Sequence, residues 1–343
     1  MLIVRDQQPL IRFTSRGLYC EKGDFYIDPI RSVERALITH AHSDHARSGM
    51  MSYLTSHAGV GILKERIGFN SSISGLPYGE RQRIGEVTVS FHPAGHLLGS
   101  AQVRVEYRGE VWVVTGDYKI ANDISCEAFE PVPCNNLITE ATFALPVYRW
   151  PDSQFVFDQI NKWWISNQER GRCSVLFAYA LGKAQRLLCG IDSTIGPIGI
   201  HGAVEKMLPY YRAAGRPIPE SVFKASAENK EKLKGVGLIV APASVQNTPW
   251  LQKFAPYSLA FASGWMAIRG ARRRRALDRG FIISDHVDWT GILDTIEATG
   301  AVNVGVTHGY ASALVRWLRE ERGLQAYEIS EAYTKNLSDD NLR

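Results

Sequence analysis

Apolar positions along this chain follow two periods. Through residue 145 the spacing is mostly two: Val87, Val89 and Phe91 alternate with Thr88 and Ser90, as one buried face of a strand requires. The segments 102–107 and 110–114 lie on either side of Arg108-Gly109 and predict a hairpin with a two-residue turn. A helix is expected over 60–67. Near residue 150 the period lengthens: Pro151-Asp152 opens a helical pattern with Val156, Ile160, Trp163 and Trp164 on one face. The Trp163-Trp164 pair reads as packing between domains. Strands are then expected at 174–177, 198–200, 237–241 and 258–262, with helices over 183–191 and from Val204. From Phe281 onward a strand, a helix at 289–299, a strand at 302–307, a helix at 312–321 and a strand at 326–329 are expected. Strands alternating with helices predict a parallel α/β unit. The polar tail 335–343 reads as frayed.

Composition narrows the class. The chain has 343 residues, 45% hydrophobic and 22% charged, enough apolar content for a large core and for two domains or one elaborated one. The net charge of +4 is too mild to argue for nucleic acid by itself. Five scattered cysteines, an odd number with no C-x-x-C pair, read as reduced and intracellular. Residues 1–15 include Arg5, Asp6, Gln7, Gln8 and Pro9, so no secretory signal is expected. No apolar run reaches the roughly 20 residues of a membrane helix. A soluble, cytoplasmic protein is expected.

The chemistry concentrates in His40-Ala41-His42-Ser43-Asp44-His45, three imidazoles and a carboxylate after the strand-like stretch 35–39. These are ligands that divalent zinc, manganese or iron prefer. A single catalytic site usually takes three protein ligands plus water, so four such groups on one strand-to-helix loop suggest two metals. The bland alternative is a polar surface loop. His96, between Gly95 and Gly99, Asp117 in Thr115-Gly116-Asp117, and His308 in Thr307-His308-Gly309 follow other apparent strands. Each alone could be a satisfied loop residue. Together with the cluster they make seven groups, enough for two sites with one shared ligand, and a carboxylate can bridge two cations.

The series His40-x-His42-x-Asp44-His45, His96 and Asp117, with Asp28 in Tyr26-Ile27-Asp28-Pro29, resembles the metal-binding series of the metallo-β-lactamase superfamily. Glu140, His286 in Ser284-Asp285-His286-Val287-Asp288, and His308 resemble the three extra motifs of its β-CASP branch, which contains nucleases acting on DNA or RNA. The phrase 177–185, around Ala178-Tyr179, resembles the start of the branch's insertion. The resemblance implies an αββα sandwich in two parts, 1–147 and 280–343, carrying a β-CASP α/β domain at 148–279. It assigns His40, His42 and His96 to one metal, Asp44, His45 and His308 to the other, and Asp117 to both. Two divalent transition metals, zinc or manganese, are the implied cofactors. Ser263-Gly264-Trp265-Met266-Ala267-Ile268-Arg269-Gly270, with Asp278-Arg279-Gly280-Phe281, is similar to the bacterial ligase-associated DNA exonucleases. That likeness implies a DNA substrate and, as partners, an ATP-dependent DNA ligase and a helicase. His308 is also the choice of RNA-processing members, so RNA stays open.

Several roles follow as expectations. Asp44 would hold the attacking water. Glu140 could fix one nitrogen of His286 and leave the other to face a phosphate or leaving oxygen; a purely structural pair is the alternative. Arg269, the run Arg272, Arg273, Arg274 and Arg275, and Arg279 form the strongest basic cluster, and beside a phosphodiesterase site they read as backbone contacts rather than a solvated face. Gly182-Lys183 is no P-loop, because Phe177 and Ala184 occupy the positions that need glycine and Ser or Thr. Lys183 and the N–H groups at that helix start could still touch a phosphate. His57, His92 and His201 read as structural. The rival functions are an RNA-processing nuclease, a catalytically inactive nucleic-acid-binding subunit, and hydrolysis of small thioesters or lactams.

Overall fold

The alternating register of the first part folds into two sheets that face each other. The computed structural model describes residues 9–268 and 276–329. The first sheet runs β1 (Ile11–Thr14), β2 (Gly17–Cys20), β3 (Phe25–Ile27), β4 (Arg35–Leu37), β5 (Ser52–Ser56) and β6 (Ile73–Leu76), in that order. Its pairing is antiparallel through β3 and parallel from β3 to β6. The second begins with β7 (Gln82–Ile84), β8 (Val87–Pro93), β9 (Ala101–Tyr107) and β10 (Glu110–Val114), all antiparallel, and continues in parallel with β11 (Asn136–Glu140). Arg108 and Gly109, both with positive φ (50° and 87°), make the tight β9–β10 turn expected of a type I′ hairpin. Phe25, Ile27 and Leu37 of one sheet meet Val89, Val103 and Val114 of the other, and the main core lies between them.

The chain then leaves the second sheet and builds a third. Helix α2 (Ser153–Glu169), which follows α1 (Val60–Ile67), starts where the Asp152 carboxylate accepts from Phe155 N. Next come β12 (Cys173–Phe177), α3 (Lys183–Gly190), β13 (Ile198–Ile200), β14 (Phe223–Lys224), β15 (Leu238–Ala241), β16 (Tyr257–Ala262) and β17 (Arg279–Phe281). All pair in parallel, in the order β14-β13-β15-β12-β16-β17. Leu176, Val240 and Ala262 face α2, α3 and the outer face of the first sheet, while Val175, Ile239 and Phe261 face away. That alternation is why these strands are apolar on both faces.

The return strand β18 (Asn303–Thr307) pairs with β11 in register, Asn136 opposite Asn303 and Glu140 opposite Thr307, and β19 (Gln325–Glu328) closes the edge. The inserted domain follows the C-terminal end of β11, and the chain returns from it through the helix Trp289–Thr299 into β18. Helices Trp289–Thr299 and Ala311–Arg322 cover the outer face of the second sheet through Ile292, Ile296, Leu314 and Leu318. The layers are thus helix, sheet, sheet, helix: the expected αββα sandwich with an inserted α/β domain. No described helix is long and apolar enough to cross a membrane.

Some expectations need correction. The histidine loop does not lead into a helix. It makes one turn, with Ala46 N donating to the His42 carbonyl, and passes into β5, because β4 and β5 pair in parallel at short range. The helix expected from Val204 is two short ones, Gly202–Glu205 and Leu208–Ala213, with Pro209 in the first turn of the second. The strand expected from Phe281 ends there instead, as Gly280 and Phe281 pair with Phe261 and Ala262. Trp163 and Trp164 belong to the inserted domain: the Trp164 indole donates to the Val236 carbonyl (2.8 Å) and that of Trp163 to Ser258 Oγ (3.3 Å). The tail 335–343 lies outside the described residues.

Trp164 is fully buried where α2 meets the third sheet. Trp164→Ala should lower the unfolding free energy by about 3–5 kcal/mol, read from urea denaturation, because the cavity cannot close and the Val236 carbonyl loses a donor.

Candidate metal centre

Four loops at strand ends bring the candidate ligands together. His40, His42, Asp44 and His45 follow β4; His96 sits between β8 and β9; Asp117 follows β10; His308 follows β18. These loops pack closely. A Cβ on Gly116 (φ +57°) would lie 2.6 Å from the Thr39 side chain. His308 itself has φ +62°, and its neighbour Gly309 sits so near Ala141 that a Cβ would fall 2.3 Å from that carbonyl oxygen. Only glycine permits either approach without displacement.

The outward nitrogens of the rings are fixed, and this decides what faces inward. Asp28 is buried. Its Oδ1 accepts from Thr39 N (2.8 Å) and its Oδ2 from Thr39 Oγ1 (2.6 Å). With its proton committed to Asp28, Thr39 Oγ1 accepts from His40 Nδ1 (3.1 Å). His45 Nδ1 donates to Asp28 Oδ2 (2.7 Å), His96 Nδ1 to the Asp285 carbonyl (2.8 Å) and His42 Nε2 to the Leu181 carbonyl (3.1 Å). In the neutral tautomers the lone pairs of His40 Nε2, His42 Nδ1, His45 Nε2 and His96 Nε2 then point into the site.

Asp117 stands among them. Its Oδ2 lies 3.5 Å from His40 Nε2 and 3.8 Å from His96 Nε2, and its Oδ1 lies 3.5 Å from His45 Nε2. Two compact donor groups result, His40, His42, His96 and Asp117 on one side and His45, Asp117 and His308 on the other. Asp44 Oδ2 lies 3.7 Å from His45 Nε2, with its side chain one-third exposed at the rim. A third group joins Asp117, Glu140 and His286. His286 Nδ1 is 3.0 Å from Glu140 Oε2, and Glu140 Oε1 also accepts from Tyr118 N (2.9 Å).

Electrostatics test whether metals fit. Burial, reinforced by neighbouring rings, holds His40 and His96 well below the ordinary histidine range. Burial and His45 likewise lower His308 to about 3. These rings are therefore neutral. Burial also disfavours charge on His45, but Asp117, Asp44 and Asp28 outweigh it and raise the ring to about 10. Burial pushes the Asp117 carboxyl up to about 7. Burial likewise opposes charge on Asp44, yet His45, His42 and His308 hold it down at about 2. The tautomers leave two telling contacts. His96 Nε2 and His42 Nδ1, both lone-pair atoms, face each other at 3.1 Å, and His40 Nε2 is buried with no hydrogen-bond partner. A cation between these nitrogens would reconcile both. The donor set fits divalent transition metals.

The inserted domain reaches into the site. Lys183 and Arg186 on α3 are both buried. Lys183 Nζ lies 3.5 Å from Asp285 Oδ2 and 5.3 Å from the Tyr179 ring centre. Arg186 pairs with Asp123 (3.1 Å) and Asp285 (3.6 Å) and also donates to the Ser284 carbonyl, while Lys119 pairs with Asp123 (2.8 Å). Lys183, expected at a phosphate, thus has its charge committed to Asp285. The Gly182 N–H is likewise taken by Gln185 Oε1 (2.7 Å). Sequence reasoning missed Asp123, Arg186 and the Leu181 and Asp285 carbonyls; of these only Leu181, in the phrase 177–185, and Asp285 stood inside a motif. Arg269, Arg272, Arg273, Arg274 and Arg275 lie outside the described residues. His201 accepts from Ala203 N at a helix start and His92 contacts Ser90, in keeping with structural roles.

No family model matches this chain. It is 29% identical over 321 residues to a protein named probable DNA ligase from Opitutus terrae, across 92% of this chain and 31% of that one. It is 28% identical over 192 residues to the endoribonuclease YSH1 of Gibberella zeae (54% and 22%), and 30% identical over 123 residues to the cleavage and polyadenylation specificity factor 73 of Drosophila melanogaster (35% and 18%). The chain thus spans less than a third of the length of each of these relatives. A crystal structure of an Enterococcus faecalis protein of unknown function matches the fold at TM-score 0.60 with 11% identity, covering 88% of this chain and 80% of that one. The relatives support the metallo-β-lactamase β-CASP branch that the motifs resemble.

Asp28 holds Thr39 and the Nδ1 of His45. Asp28→Asn should weaken metal binding by about 10–100-fold in a competition titration, because the carboxylate orients His45 directly and His40 through Thr39. Elemental analysis should find about two metals per wild-type chain and a clear deficit in His40→Ala and Asp117→Ala.

Proposed function

We propose that this chain is a metal-dependent nuclease that hydrolyses phosphodiester bonds in DNA with two divalent transition metals, zinc or manganese. One observation carries the reading: the Asp117 carboxylate turns one oxygen to His40 and His96 and the other to His45. His40, His42, His96 and Asp117 would hold one metal; Asp44, His45, His308 and Asp117 would hold the other. When bound, the pair activates a water and offsets the charge that builds on a phosphate during in-line displacement.

The remaining roles belong to the chain's own groups. Asp44, at the rim, accepts a hydrogen bond from the attacking water and orients it. His286 donates to the leaving oxygen. Burial opposes charge on its ring, but Glu140 and Asp117 raise it to about 9, so it carries a donatable proton at neutral pH. Glu140 holds Nδ1 and leaves Nε2 for that transfer. DNA is favoured because the relative matched along 92% of the chain is named a DNA ligase, whereas YSH1 matches 54%. From the likeness of Ser263–Gly270 and Asp278–Phe281 to the ligase-associated DNA exonucleases we assign an exonuclease role in DNA repair beside an ATP-dependent ligase, with a helicase as a further partner. The endoribonuclease names favour RNA as the second reading.

Matched DNA and RNA strands labelled at either end test the substrate: chelator-sensitive stepwise loss from one DNA end is expected. Faster cleavage of RNA would move the assignment to the second reading, and no cleavage of either by metal-loaded protein would sink it. His286→Ala should keep both metals yet turn over about a hundredfold to ten-thousandfold more slowly on DNA. The deficit should shrink on an aryl phosphodiester, whose leaving group needs little proton assistance. Glu140→Gln should show a milder form. Loss of a metal in His286→Ala would instead make that residue a ligand.

A further inference from the structure

The parallel sheet of the inserted domain has two ends with different chemistry. Beyond the C-terminal end of β12, the Leu181 carbonyl holds His42. At the opposite end lies a cleft of about 430 Å³ bordered by Lys162 on α2, Arg170 at its end, Arg172 before β12 and Arg279 on β17. All four are exposed, and none forms an ion pair among the described residues. The one carboxylate in the lining is Asp278, whose Oδ2 accepts from Ser258 Oγ and Leu259 N, each at 2.9 Å. Four cations against one carboxylate leave a net charge of +3 on the cleft. At the floor, half-buried Trp163 packs edge-on against Phe281 at 5.7 Å and donates to Ser258.

Elsewhere on the surface, cations such as Lys224 and Arg316 sit in ion pairs with Glu205 and Glu320. Here like charges converge unpaired, an arrangement that repels itself unless a polyanion lies across it. In sequence, the run Arg272–Arg275 stands just before Asp278-Arg279.

We propose that this cleft is a second contact for the phosphate backbone of the nucleic-acid substrate, remote from the metal centre. The proposal rests on the nuclease reading above. The five residues of β12 alone separate the two ends by roughly 17 Å at about 3.3 Å per residue. That corresponds to roughly five base pairs of duplex, so only substrates longer than this engage both places. The cleft grips the length of the strand and takes no part in the reaction at its end.

The test uses the full metal-loaded chain with Lys162, Arg170 and Arg172 all changed to Gln. Binding is measured by fluorescence anisotropy to cleavage-resistant phosphorothioate DNA of about 4 and about 25 nucleotides across a salt series. Three lost contacts should flatten the slope of log K against log salt by about 2–3 for the long strand and weaken it at least tenfold at low salt. Affinity for the short strand, and turnover of a short unmodified strand, should stay within about twofold. The charge-preserving variant Lys162→Arg, Arg170→Lys, Arg172→Lys should restore the long-strand slope. An unchanged long-strand affinity and slope overturns the proposal, and so does an equal loss on both lengths. Wild-type protein that neither binds nor cleaves either strand overturns the nuclease reading and this proposal together.

Discussion

The centre depends on one constraint: an imidazole buried beside other imidazoles must spend its outer N–H on an acceptor to present a lone pair at its inner nitrogen. A stranded buried donor costs about 1–3 kcal/mol, so an unheld ring would turn away. The acceptors come from distant places in the chain. Thr39 and Asp28 serve His40 and His45, the Asp285 carbonyl serves His96, and the Leu181 carbonyl serves His42. Closing the sandwich and docking the inserted domain therefore orient the rings. The six-residue cluster alone could not.

The same requirement explains the buried charges at the domain junction. Arg186 and Lys183 on α3 clasp Asp285, and Arg186 also clasps Asp123, which Lys119 shares. Burying such pairs gains little stability over apolar packing, because desolvation consumes most of the attraction. Their value here is positional. Asp285 carries the carbonyl that fixes His96 and precedes His286. A greasy interface could slide by a fraction of an ångström; a network of directional charged contacts resists that.

How much of this was legible in the sequence follows from what leaves a trace there. The candidate ligands were readable as a group because chemistry restricts their residue types and strand ends restrict their spacing; six of the seven stand in the two donor groups, while Asp44 sits at the rim. The β9–β10 hairpin was readable because Arg108-Gly109 must take positive φ. The Leu181 and Asp285 carbonyls were invisible, since any residue supplies a carbonyl and only the fold selects which one points at a ring. Lys183 reads as an exposed cation at a helix start, yet α3 is packed on nearly every side and its charge turns inward. Strand β14, two residues long, is too short for alternation to register. The cleft at Arg172 was missed because its cations come from α2, the start of β12 and β17, which are neighbours only once the sheet forms.

His286 brings these strands of argument to one point. Its ring is held by Glu140, the last residue of β11. Its carbonyl accepts from the Trp150 indole (2.8 Å), and Asp288, two residues on, accepts from Trp150 N (2.9 Å). Phe143 packs among Tyr148, Trp150 and Trp265 and lies 5.9 Å from the His286 ring. Residues 141–152 lead into the inserted domain and residues 282–288 lead out of it. The two connecting segments are therefore fastened to each other through this histidine's surroundings. A shift of the inserted domain against the sandwich would pull on the Leu181 carbonyl, the Asp285 loop and the Trp150 contact at once. The ring that faces the centre from the side thus reports the same docking that orients the rings within it.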